Sequence, residues 1–169
     1  MILDLRLDTN ASFKMSQVSL LRRRICSSCT RFGDFCEHLM TEQTISIRVR
    51  YPEVDAMGYL HHSRYLQYFE MGRIELLRSL GFSYADLERD GVFFVVVKVE
   101  VRYKSPARYD EELALTTRVT RQTAVRIDHA YELRRGETLL AEASTTIACV
   151  GRDGQLREIP QQLRSESSV

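Results

Sequence analysis

Apolar and polar residues alternate from Ile45 to Arg50. Ile45, Ile47 and Val49 fall on one face and Ser46, Arg48 and Arg50 on the other, the period of a half-buried strand. Pro52 ends that strand, and Asp55-Ala56-Met57-Gly58 reads as a loop. The period then lengthens to that of a helix from about Ser63 to Leu80, with Tyr65, Phe69, Gly72, Leu76 and Leu80 sharing a face. Ser63 is the expected N-cap and Gly81 the expected stop. Gly72 costs a helix interior up to about 1 kcal/mol against alanine, which predicts a close approach to a sheet at that point.

Four more strands are expected after the helix. Val95, Val97, Val99, Val101 and Tyr103 alternate with Val96, Lys98, Glu100, Arg102 and Lys104, giving one apolar face. Leu113, Leu115 and Val119 mark the next strand, and Val125, Ile127, His129, Tyr131 and Leu133 a third, in which His129 reads as a core histidine. Leu139 through Val150 make the fourth, with turn signals at Gly136 and Asp153-Gly154. One strand, one long helix and four turn-linked strands predict an α+β fold of about five antiparallel strands, a single sheet wrapped around a central helix. The outer face and end strands of such a sheet need cover, so self-association is expected.

Composition narrows the picture. A chain of 169 residues, 44% hydrophobic and 28% charged, is long enough for one globular domain with some surplus. A net charge of +1 gives no general attraction to nucleic acid or to anionic membranes. The longest apolar run, Val92 to Val97, stops at Lys98 and falls far short of the ~18 residues of a membrane span. Residues 1–39 lack sustained periodicity, and Met40 opens a segment that would itself make a natural start. They read as a dispensable extension ahead of a domain at 40–169. Cys26-x-x-Cys29 followed by Cys36-x-His38 hints at zinc, but the second pair is too close to form a converging knuckle, so no metal is expected. Free thiols and the lack of a signal-like start point to the cytoplasm.

The chemistry concentrates in Tyr51-Pro-Glu-Val-Asp55-Ala-Met-Gly58-Tyr-Leu-His-His62-Ser-Arg-Tyr65-Leu-Gln-Tyr68-Phe69-Glu70-Met-Gly-Arg73. This segment closely resembles the signature of the 4-hydroxybenzoyl-CoA thioesterase family, and most of all its YbgC-type acyl-CoA thioesterase branch. Tyr103-Lys-Ser-Pro106-Ala107-Arg-Tyr-Asp110 resembles a further motif of that family, and the likeness spans about residues 43 to 160. The resemblance implies a hotdog fold, a long helix wrapped by a curved antiparallel sheet, with sites formed at the interface of a homodimer or homotetramer. It implies hydrolysis of an acyl-CoA thioester to a free acid and coenzyme A, without a cofactor or metal. Asp55 matches the family's catalytic carboxylate, as nucleophile or as general base, and His62 matches its histidine.

That arrangement also makes physical sense. A thioester carbonyl needs an attacking oxygen and donors for its developing oxyanion. The first amides of a helix lack internal partners, so N–H groups near Gly58 to His62 are candidate donors where the helix dipole favours negative charge. Gly58 would let the backbone approach a substrate, and Tyr65 is a candidate positioning residue. Glu70 on the helix is the rival carboxylate, although pairing with Arg73 is the simpler expectation. His61 reads as incidental and Glu53 as a solvated loop charge. Lys104, Arg108, Arg121 and Arg126 are all available to coenzyme A phosphates. A dehydratase would fit the Asp55 loop less well, and a non-catalytic acyl-thioester binding or scaffolding protein is the alternative outside catalysis.

Overall fold

The computed structural model describes residues 42–164. The N-terminal extension and its Cys/His motif lie outside the described residues. The elements run β1 (Glu42–Arg48), α1 (His62–Ser79), α2 (Tyr84–Arg89), β2 (Phe93–Tyr103), β3 (Glu112–Gln122), β4 (Arg126–Arg135) and β5 (Thr138–Val150). Single 3-10 turns occur at Tyr51–Glu53 and Gln161–Leu163. All strand pairs are antiparallel and the sheet order is β1-β3-β4-β5-β2. Helix α1 packs on β1 and β3, so this is an α+β hotdog arrangement.

The core follows from the two periods. Tyr65, Tyr68 and Phe69 of α1 bury against Ile47, Leu113, Leu115, Tyr131, Leu133 and Leu140 of the sheet. Phe69 and Tyr131 bring their ring centroids to 4.8 Å. Leu87, Val92, Cys149 and Ile159 form a second cluster, joined by Leu77, Phe94 and Ile127. Gly72 is the point of close approach. An alanine Cβ there would stand 2.9 Å from Leu115 Cδ2 and closer still to Thr117 Oγ1. The helix ends with the Gly81 and Phe82 amides returning to the Arg78 and Leu77 carbonyls, the paired bonds of a Schellman stop.

Three local readings change. The N-cap is His61 rather than Ser63: the His61 side chain accepts the Ser63 amide, and the helix starts one residue early. Helix α2 went unforeseen because six residues are too few to display a period. The apolar face of β2 is not buried within the chain. The strand lies at the sheet edge and meets the core and α1 only toward its Val101–Tyr103 end, leaving Val95, Val96, Val97 and Val99 exposed, Val97 by 54%. A register shift between Val96 and Lys98 also interrupts its alternation.

Candidate active site

The Asp55 loop is a short hairpin. Val54 pairs with Leu60, and the Asp55 amide donates to the Tyr59 carbonyl at 2.8 Å. At its tip the Gly58 amide donates to the Asp55 carbonyl at 2.9 Å. Asp55 Oδ1 accepts the amides of Met57 (2.9 Å) and Tyr59 (3.1 Å), the side-chain turn that aspartate favours. Gly58 sits at φ +75°, and its missing Cβ would meet open space. The glycine therefore serves the turn itself, and its amide is already committed to Asp55. The Leu60 amide donates to the Ala107 carbonyl at 2.8 Å, and Tyr59 bridges to Arg108. The two segments that carry the family resemblance, some fifty residues apart in sequence, thus rest on one another.

Glu53 is not a solvated loop charge. It is 2% exposed, and both of its carboxylate oxygens are engaged. Oε2 accepts the Tyr68 hydroxyl at 2.7 Å and the Arg50 amide at 2.8 Å, while Oε1 accepts the Arg50 guanidinium, with Nε at 2.9 Å. Burial pushes its carboxyl pKa up, but the hydrogen bonds from Arg50 and Tyr68 together outweigh burial and hold it below the usual carboxylate range. Burial, reinforced by Glu53, drives the Tyr68 phenol well above its ordinary value. The available sequence signal was Arg50-x-x-Glu53, opposite charges three residues apart around a proline-bearing turn.

The helix start places the remaining candidates. His61 is structural: its Nδ1 lies 2.8 Å from Ser63 Oγ and accepts the Ser63 amide at 3.3 Å. His62 is exposed, its ring tilted 36° to that of His61 with centroids 4.1 Å apart, and its carbonyl accepts the Tyr103 hydroxyl at 3.3 Å. Tyr65 is buried and meets Tyr103 edge to face at 4.9 Å. Burial raises its phenol pKa, opposed by a hydrogen bond with the Ala107 backbone. Glu70, two turns into α1, pairs with Arg73 at 3.2 Å. His129 is buried in the sheet face beneath α1. Among the basic candidates, Arg108 stacks over the Tyr59 ring at 4.8 Å beside the Asp55 loop, and Lys104 pairs with Glu142 at 3.2 Å. Arg121 and Arg126 stand at the opposite end of β3 and the start of β4.

This geometry narrows the oxyanion donors. The amides of Met57, Gly58, Tyr59, Leu60 and His61 all have acceptors within the chain. Of the amides near Gly58 to His62, that of His62 is the one with no acceptor among the described residues. The half-exposed Asp55 has Oδ1 locked by two amides, whereas Oδ2 accepts no hydrogen bond from the described residues. The arrangement therefore offers one fixed, reachable carboxylate oxygen a few residues ahead of a helix start. No hydrogen bond joins Asp55 to His62 or Glu70 among the described residues.

Residues 49–166 match the thioesterase-like superfamily. The chain belongs to that superfamily, in its YbgC-type branch. This thioesterase-like protein is 36% identical over 105 residues to the acyl-CoA thioester hydrolase YbgC of Escherichia coli, covering 62% of this chain and 78% of that one. Among solved structures, a probable thioesterase from Bartonella henselae superposes with a TM-score of 0.68 at 33% identity, covering 71% of this chain and all of that one. A DHNA-CoA thioesterase from Staphylococcus aureus gives 0.66 at 32% identity, covering 71% of this chain and 80% of that one.

Proposed function

We propose that this thioesterase-like protein hydrolyses acyl-CoA thioesters to a free carboxylic acid and coenzyme A, with Asp55 as its catalytic carboxylate and His62 assisting. The observation that carries the reading is the division of labour within Asp55, whose Oδ1 is held by two amides while Oδ2 is left to react. Two routes use that oxygen. In one, Oδ2 attacks the carbonyl carbon, the C–S bond breaks, coenzyme A leaves as thiolate, and water cleaves the resulting acyl-aspartyl anhydride. In the other, Oδ2 takes a proton from a water that attacks the carbonyl carbon directly, and the C–S bond breaks as coenzyme A leaves. In either route the His62 amide, at the positive end of α1, is the candidate donor to the oxyanion, with Gly58 and Tyr65 shaping its surroundings.

The test is thiol release from short, long and aromatic acyl-CoA thioesters. Asp55→Asn keeps an oxygen for the Met57 and Tyr59 amides, so it is expected to fold normally and lose about 10²- to 10⁴-fold in rate. Undiminished thiol release would sink the assignment, and tight acyl-CoA binding with no turnover in the wild type would favour a binding protein instead. Single turnover in ¹⁸O-labelled water tests the first route: label in the Asp55 carboxylate requires an anhydride that water cleaves at the aspartyl carbon.

The protein works as a homodimer or a homotetramer built from dimers, in the cytoplasm. The exposed valines of β2, on an edge strand of eleven residues, support pairing with a second copy. Val97→Lys is expected to shift the mass in solution to that of a monomer, and an unchanged mass would remove β2 from the interface. Cys149 is a buried free thiol, in keeping with a reducing compartment. No helix among the described residues is long and apolar enough to cross a membrane.

A further inference from the structure

We propose that Glu53 is the positioning residue of the site: its buried carboxylate, clamped between Tyr68 of α1 and Arg50, fixes where the Asp55 carboxylate stands relative to the helix. The inference rests on the reading of Asp55 as the catalytic carboxylate.

Three strands of geometry meet at Glu53. Its carboxylate takes the Tyr68 hydroxyl at 2.7 Å, from the second turn of α1. The same group takes the backbone amide and guanidinium of Arg50, which tie it to the chain entering the loop. Its own carbonyl accepts the His61 amide at 2.9 Å, at the point where the chain leaves the loop and caps α1. One residue therefore fastens the entry, the exit and the helix. Asp55 stands two residues beyond it, just past the Val54–Leu60 pair that closes the loop's base.

Energetics argue that this placement is specific. A buried carboxylate is tolerated only when its hydrogen-bonding capacity is met, and breaking such a set by removing one partner is costly. Apolar packing would fill the same volume without that demand, but it would not fix the loop's height or rotation against α1. Four directed hydrogen bonds do fix both. Glu53 itself has no reactive role, since it is sealed from solvent and both oxygens are occupied. Its influence reaches the substrate only through Asp55, where a displacement of about 1 Å can cost on the order of 10²-fold in rate.

The experiment measures kcat and KM for Glu53→Gln, Tyr68→Phe, their double variant and Asp55→Asn, with Leu87→Ala as a destabilised control. Leu87 lies in the second core cluster, away from the loop. Glu53→Gln is expected to lower kcat by about 100-fold and Tyr68→Phe by about tenfold, with KM within about threefold of wild type. The double variant should be no worse than Glu53→Gln alone, because Tyr68 acts through Glu53. Tyr68→Phe removes a single oxygen and keeps the packing, so it carries the test if Glu53→Gln fails to fold. Wild-type kcat in Tyr68→Phe and Glu53→Gln beside an inactive Asp55→Asn overturns the proposal. A fall no larger than that of Leu87→Ala at equal thermal stability overturns it too. Full activity in Asp55→Asn overturns the reading beneath it and the proposal with it.

Discussion

The loop that presents Asp55 and the interior beneath the second half of α1 both hold polar groups out of water, but they treat them differently. In the loop, the amides from Met57 to His61 all have acceptors, and both Glu53 oxygens are filled. Under α1 the inner face of the sheet turns polar between the two apolar clusters, at Thr117, His129 and Thr145. Tyr131 and Thr145 satisfy each other at 2.8 Å, yet Thr117 Oγ1 and His129 Nδ1 are buried without a partner among the described residues. An unpaired buried polar atom costs about 1–3 kcal/mol. The first region spends its polar groups on geometry, leaving one oxygen of Asp55 in reach; the second carries polar groups that lower stability. Changes in the loop should therefore act on rate, and changes under α1 on stability.

The strongest stability effect of that contrast is expected at His129. Burial, with the nearby Arg73 charge added, pushes its pKa down from 6.5 to about 4, while the Asp128 carboxylate pulls weakly the other way. The unfolded chain thus binds a proton between pH 6.5 and pH 4 that the folded chain refuses. The stability of the neutral histidine is fully present above pH 6.5 and is lost as pH falls toward 4. The loss attributable to this group is at most about 3 kcal/mol. Urea unfolding from pH 7 to pH 4 should show His129→Leu losing distinctly less stability than wild type. Equal losses in the two proteins would remove His129 as a source of acid sensitivity.

Gly72 sharpens the contrast at the same interface. Alanine improves helix propensity by up to about 1 kcal/mol, but its Cβ collides with Thr117 Oγ1 and Leu115. Overpacking of that kind costs 1–3 kcal/mol, so Gly72→Ala is expected to destabilise by about 1–2 kcal/mol net. Thr117→Ala alone removes an unpaired hydroxyl and should be close to neutral. Combined with Gly72→Ala it should recover part of the loss. A double variant showing no recovery in thermal denaturation would place the clash elsewhere.

The same contrast explains what could be read from the residues alone. Strand and helix periods carried the fold, since alternation at Ile45–Val49 and the 3.6 spacing from Tyr65 to Leu76 report burial directly. Gly72 was legible too, because a glycine inside a good helix implies a neighbour too near for a side chain. The valines of β2 misled, because alternation reports an apolar face without saying whether this chain or another covers it. Glu53 misled more seriously. A glutamate in a polar loop looks solvated, and its burial depends on Tyr68, fifteen residues away, and on a turn that folds Arg50 back onto it. His61 was passed over for a similar reason, since capping by an imidazole leaves no regular signature. Asp55 itself was marked by the extended family resemblance, but the commitment of its Oδ1 to two amides is a fact of the loop's conformation.

Glu70 offers the smallest effect and a sharp test of the boundary between the two regions. It sits on α1 between them, 57% exposed on its side chain, paired with an Arg73 that is only 10% exposed. Arg73 does not act on Glu70 alone: burial raises the phenol pKa values of Tyr84 and Tyr131, and the Arg73 charge opposes that rise in both. An exposed carboxylate in such a pair contributes about 0–1 kcal/mol, so Glu70→Gln should lower stability by less than that. Its acyl-CoA hydrolysis should stay within about threefold of wild type, because Gln keeps an acceptor for Arg73 and Asp55 is untouched. Steady-state thiol release checks this. A loss of 10²-fold or more at unchanged stability would put a catalytic carboxylate on the helix, since an exposed ion pair of this strength has too little energy to transmit such an effect to the Asp55 loop.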